Sequence, residues 1–127
     1  TAALAIGLHA LTAIANGKGR TVRAKDIAES LNVSYNHLSK VLQMLVKDGI
    51  ISSTKGPSGG FVLARKPDQI ILKDIYEAIE GPLNQNKCLF GKDVCPAGKC
   101  VFESFIAKIN EEFIEYFNTK KLSDILN

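Results

Sequence analysis

A chain of 127 residues with 46% hydrophobic side chains has enough apolar surface for one packed domain, or a small domain with an appendage, which argues against disorder. The net charge is only +3, yet residues 1–66 carry nine Lys/Arg against three Asp/Glu, a balance of +6, and residues 67–127 carry seven against ten, a balance of −3. The basic half suits a polyanion partner, and with no apolar run of about eighteen residues no membrane-spanning helix is expected.

The chain begins TAALAIGLHALTAIA, without a charged residue. It lacks a basic n-region, so it reads as a helix over residues 3–16 rather than a signal peptide, and Thr1 is not expected to be the native start. Asn16-Gly17 supplies the stop. Leu4, Leu8, Leu11 and Ala15 share one face, with Ala2, Ala5, His9 and Ala13 opposite. A helix apolar nearly all round is usually covered on both sides, so its second surface is expected to meet a partner subunit. GKGRTV reads as a loop with a short strand. Residues 23–31 read as a second helix with Ile27, Ala28 and Leu31 inward. Asn32-Val33 makes a turn, and Ser34 N-caps a third helix running to about Asp48. The layout is helix–turn–helix.

At 100° per residue, Leu38, Val41, Leu42 and Leu45 of the third helix fall on one face and must be core. Asn36, Lys40, Gln43 and Lys47 fall on the other, with Ser39 at its edge and no carboxylate before Asp48. Amide and ammonium groups suit base edges and phosphates in a major groove; an ordinary solvated helix face would present the same pattern.

Gly49 ends that helix. Residues 50–54 and 61–64 read as paired strands, and Lys55-Gly56-Pro57-Ser58-Gly59-Gly60 between them as a hairpin tip. Two helices followed directly by a β-hairpin make the winged-helix plan. Lys55 and Arg65 flank the wing where phosphate lies in reach, and Lys55 is also placed to enter a minor groove.

Residues 71–80 read as a short helix with Ile71, Ile75, Ala78 and Ile79 inward, stopped by Gly81-Pro82. Residues 82–100 form a long turn-rich stretch, and loops of that length in small domains are functional or disordered. Residues 101–118 then form an amphipathic helix with Phe102, Phe105, Ile106, Ile109, Phe113 and Phe117 on one broad stripe. After a complete small domain such a helix has little of its own to cover, so it is expected at a dimer interface. Thr119 is expected to cap a last short helix carrying Leu122, Ile125 and Leu126.

All three cysteines, Cys88, Cys95 and Cys100, fall in KCLFGKDVCPAGKC. An odd count argues against a secreted disulfide framework, and clustered thiols in a cytoplasmic protein point to metal or redox chemistry. Spacing alone leaves an iron–sulfur cluster, zinc and a reversible disulfide open. An enzyme is not expected: there are two histidines, no nucleophile–base spacing, and GPSGG lies between strands rather than ahead of a helix.

SYNHLSKVLQMLVKDGIISSTKGPSGGFVLARKPDQIILKDIYEAIEG, followed by three cysteines and a long helix, resembles the bacterial Rrf-two family, whose members include IscR- and NsrR-type iron–sulfur regulators. The resemblance spans almost the whole chain, and the wing string KGPSGGFVLARKP is its most specific part. It implies a mainly α fold with a small β-hairpin: a winged helix–turn–helix DNA-binding domain over residues 1–81, a cysteine-containing sensor loop over 82–100, and a dimerisation helix with a short terminal helix over 101–127. It also implies a homodimeric transcriptional regulator, a repressor of double-stranded operator DNA with no membrane partner. Cys88, Cys95 and Cys100 match the family's ligands for a [2Fe–2S] or [4Fe–4S] cluster, a group that purified protein need not retain. The spacing of six then four departs from the commoner five and five. For a fourth ligand the resemblance offers His9 from the partner's first helix and, as the weaker choice, Glu103; the more frequent acidic position is Ala5 here. Asn36, Ser39 and Lys40 match base-facing positions, Lys55 a minor-groove position, Ser34 and Tyr35 phosphate contacts at the helix start. His37 replaces a frequent Tyr, and Ser58 belongs to the wing. The alternatives are a zinc or thiol–disulfide regulator of the same fold, or a protein-interaction module without DNA binding.

Overall fold

The computed structural model describes residues 2–83 and 100–126. Six α-helices among them are α1 (Ala2–Asn16), α2 (Ala24–Leu31), α3 (Tyr35–Lys47), α4 (Leu72–Glu80), α5 (Glu103–Thr119) and α6 (Leu122–Ile125). Two strands, β1 (Ile51–Thr54) and β2 (Gly60–Leu63), form an antiparallel hairpin with Ile51 opposite Leu63 and Thr54 opposite Gly60. The expected mainly helical fold with one hairpin is what forms. The short strand expected in GKGRTV is a single bridge from Val22 to Phe61.

One apolar core joins these elements. Leu38, Val41, Leu42 and Leu45 of α3 meet Ile27 and Ala28 of α2, Ile50 and Ile51 at the hairpin base, and Ile70 and Ile75 around the start of α4. The 3.6-residue period of α3 places these four side chains on one side, as expected. In α1 the buried face differs from the expected one. Ile6, Gly7, Ala10, Leu11 and Ile14 are inward, while Leu4, Leu8 and Ala15 are only half-buried. A helix apolar nearly all round, without a charged residue, has little amphipathic signal to orient it, and Gly7 decides the matter: a Cβ there would stand 3.4 Å from Val41 Cγ1 and press on the Ile79 side chain. The small residue lets α1 approach α3 and α4 closely.

Beyond Cys100 the chain returns to this core. Ile106 is buried, and Phe113 and Phe117 stack at 4.3 Å and meet the edge of Tyr76 of α4 at 5.8 and 5.6 Å. Leu122 is fully buried in the same core. The cap of α6 is not Thr119. The Thr119 hydroxyl donates to the Glu115 carbonyl within α5 at 2.8 Å, whereas the Lys121 amide donates to Asp124 Oδ2 at 2.9 Å. Two residues of extended chain separate α5 from α6, so Thr119 is too early to reach the free amides of the second helix.

Candidate nucleic-acid interface and thiol site

α3 starts where Ser34, in extended conformation, turns its hydroxyl to accept the His37 amide at 3.0 Å. That bond satisfies one of the free amides of the first turn. With the apolar face anchored, Tyr35, Asn36, His37, Lys40, Gln43 and Lys47 are exposed, and Ser39 is half-buried at the margin. The outward face carries amide, hydroxyl, imidazole and ammonium groups and no carboxylate over its whole length. Seven of the eight residues expected at the DNA are exposed, and Ser39 is the exception.

The wing extends directly from α3. Ile50 is fully buried and its carbonyl accepts the Ala64 amide at 3.0 Å, so the base of the hairpin is closed onto the core. At the tip the Gly59 amide donates to the Gly56 carbonyl at 2.9 Å. Residues 52–58 are all exposed, Lys55 and Ser58 among them. Arg65 differs from Lys55. Its Nη1 lies 3.5 Å from Asp74 Oδ2 at the start of α4, so a carboxylate already partners part of its charge. Two residues that sequence reasoning missed also touch the wing. Thr21 and Arg23 donate to the tip carbonyls of Ser58 and Pro57.

Of the thiol residues, Cys88 and Cys95 lie outside the described residues, as does most of the 82–100 stretch. Cys100 is half-buried and not in a disulfide, and its carbonyl accepts the Glu103 amide at 3.3 Å at the entry to α5. Glu103 is exposed in the first turn of α5, and His9 is exposed on the alanine-lined face of α1 with Ala2 and Ala5. No group of three His, Cys, Asp or Glu side chains converges among the described residues. The donor types nonetheless suit a soft metal centre, since thiolate and imidazole are what iron–sulfur clusters and zinc take.

A helix–turn–helix with a carboxylate-free recognition face and an anchored wing is the frame of a DNA-binding regulator. The Rrf2 family model, described as an iron-dependent transcriptional regulator, matches residues 1–127. The chain belongs to the Rrf2 family. It is 27% identical over 126 residues to the HTH-type transcriptional regulator IscR of Klebsiella pneumoniae, covering 95% of this chain and 77% of that one. Among solved structures it is similar to CymR, the global cysteine regulator of B. subtilis, with a TM-score of 0.81 at 28% identity, covering 98% of this chain and 93% of the other. The structure of T. potens IscR gives a TM-score of 0.77 at 25% identity over 98% and 83% of the two chains. This Rrf2 protein is therefore a winged-helix transcriptional regulator, and its relatives are regulators rather than enzymes. No helix among the described residues is long and apolar enough to cross a membrane.

Proposed function

We infer that the protein is a cytoplasmic, homodimeric repressor that reads operator DNA with α3 and the wing, and whose binding responds to the state of Cys88, Cys95 and Cys100. The observation that carries the DNA reading is the carboxylate-free outer face of α3 beside an exposed wing lysine. Asn36, Ser39 and Lys40 are assigned to base edges, Ser34, Tyr35 and His37 to phosphates at the helix start, and Lys55 and Ser58 to the groove beside the wing. The division into a winged helix over 1–81, a sensor stretch over 82–100 and a dimerisation segment over 101–127 goes with this reading. The homodimer is supported by α5. Phe105, Ile109, Phe113 and Tyr116 are 39–62% exposed and fall on one arc of the helix, and Phe102 at its N-cap is exposed as well. Left in water such a strip is costly, and a second copy of the same helix covers it. A dimer also places two recognition helices on half-sites about 34–36 Å apart.

The three thiolates would hold an iron–sulfur cluster, with His9 of the partner subunit as the preferred fourth ligand and Glu103 as the weaker one. Bound there, the cluster supplies a labile iron–thiolate centre open to nitric oxide, oxygen or iron shortage. Cys100 sits at the entry to α5, so a change at the thiols acts on the helix proposed to join the two subunits. The similarity to CymR supports a second reading, in which the same thiols respond through a disulfide or zinc. Anaerobic purification with visible absorption, iron and sulfide analysis decides between them. A broad absorption band with stoichiometric iron and sulfide is expected, and its absence after reconstitution overturns the cluster. The DNA reading is tested separately: Lys40→Ala and Lys55→Ala should each lower the affinity for the protein's own promoter and flatten its salt dependence by about 0.9 in slope. Unchanged binding in both would leave the interaction-module alternative.

A further inference from the structure

Two consecutive peptide carbonyls at the wing tip are occupied by side chains from the segment that leads into α2. Thr21 Oγ1 donates to the Ser58 carbonyl at 2.9 Å, and Arg23 Nη2 donates to the Pro57 carbonyl. Between them Val22 exchanges both main-chain hydrogen bonds with Phe61, at 3.0 and 2.9 Å. Gly60 permits the approach, because a Cβ there would stand 2.7 Å from the Val22 oxygen and 3.2 Å from Thr21 Cβ. Residues 21–23 therefore form a third rail along the hairpin and grip its tip.

Arg23 is unusual for the place it occupies. It is the N-cap residue of α2, extended at φ −81° and ψ 141°, and its side chain makes no capping bond. Short polar residues are favoured at that position because they satisfy the first-turn amides. Here the long side chain reaches the wing instead, across 34 positions of sequence. Hydrogen bonds from an ionised donor are about twice as strong as neutral ones. The wing needs such a tie, since a two-stranded hairpin is marginal alone and each strand here has four residues.

We propose that Arg23, aided by Thr21, is a positioning residue for DNA binding: it locks the wing tip to the start of α2, so that Lys55 and Ser58 are held in one orientation relative to α3 before DNA arrives. The ordering cost of the tip is then met in folding rather than in binding. Arg23 acts through the wing and not by a phosphate contact of its own. The inference rests on the wing being a DNA contact.

The test uses the full chain and a labelled duplex of its own promoter over a salt series, with Arg23→Ala, Thr21→Val and Lys55→Ala alone and combined. Arg23→Ala is expected to weaken binding about fivefold through lost preorganisation, with the slope of log affinity against log salt unchanged. Amide order parameters of Lys55, Gly56 and residues 58–60 should fall below about 0.6 while those of α3 stay rigid. Thr21→Val should give a smaller change of the same kind, and Arg23→Ala should add little on top of Lys55→Ala. A slope reduced by about 0.9 would make Arg23 a phosphate contact and overturn the proposal. So would unchanged affinity in Arg23→Ala while Lys55→Ala still binds poorly, or order lost throughout α2 and α3. If Lys55→Ala binds normally while Lys40→Ala does not, the wing is not a DNA contact and this proposal falls while the reading of α3 stands; if both bind normally, the functional reading falls along with this one.

Discussion

Ile71 and Lys121 face each other in an antiparallel bridge, 50 positions apart in the chain. The Leu72 amide donates to the Lys120 carbonyl at 2.9 Å and the Leu122 amide to the Ile70 carbonyl at 2.8 Å. The segment after α5 is thereby sewn to the start of α4, and Tyr76, Phe113 and Phe117 make a second attachment further along. The helix proposed to join the subunits is tied at both places to the element that supports the recognition helix.

Leu122 lies at the centre of that seam and has no exposed surface. Leu122→Ala should destabilise the protein by about 2–5 kcal/mol. Urea unfolding followed by circular dichroism checks this, with a lower midpoint at an unchanged slope as the expected result.

The cap of α6 can be tested apart from its core. Asp124→Ala removes the acceptor of the Lys121 amide and should cost about 0.5–1.5 kcal/mol. Thr119→Val removes only an exposed bond to a carbonyl of its own helix and should stay within about 0.5 kcal/mol of wild type. Paired thermal melts give the comparison, and equal effects would contradict the cap assignment.

Gly59→Ala should be costly although the wing is exposed. Its Cβ would collide with the Thr54 carbonyl and stand 2.9 Å from the Lys55 carbonyl carbon, and both are backbone that cannot swing aside. A loss of about 1–3 kcal/mol is expected, together with weaker promoter binding in gel-shift titration.

Ile109→Glu should separate folding from association. The side chain is 48% exposed, so the change should alter the stability of a single copy by no more than about 0.5 kcal/mol. At an α5–α5 interface it buries two carboxylates, and sedimentation equilibrium should show a monomer at concentrations where the wild type is dimeric. A dimer of undiminished affinity would remove α5 from the interface.

The parts legible in the sequence are those written in local signals. The period of Leu38, Val41, Leu42 and Leu45 oriented α3, Ser34 marked its start, and the glycines of residues 56–60 marked the wing. α1 was not legible in the same way, because its Ala, Leu and Ile run nearly all round, with only His9 and Thr12 polar ahead of Asn16, and the choice fell to the fit of Gly7 against α3 and α4. The seam at Ile71 and Lys121 and the reach of Arg23 to Pro57 were invisible for a different reason. Both join distant segments, and neither residue type signals such a partner. At Thr119 the residue type was read without its register, and Asp124 took the role instead. The eight candidate DNA residues fall on α3, its cap and the wing tip, while two of the three cysteines lie outside the described residues.

The grip on the wing tip is made entirely on main-chain oxygens. Thr21 and Arg23 take the carbonyls of Ser58 and Pro57, and neither of those side chains takes part. Position 58 can therefore change its side chain without loosening the frame that holds it, and so can Lys55, whose side chain is exposed outside the clamp. On the proposed reading of the wing as a DNA contact, target preference is free to drift through these positions while the geometry of presentation is inherited intact.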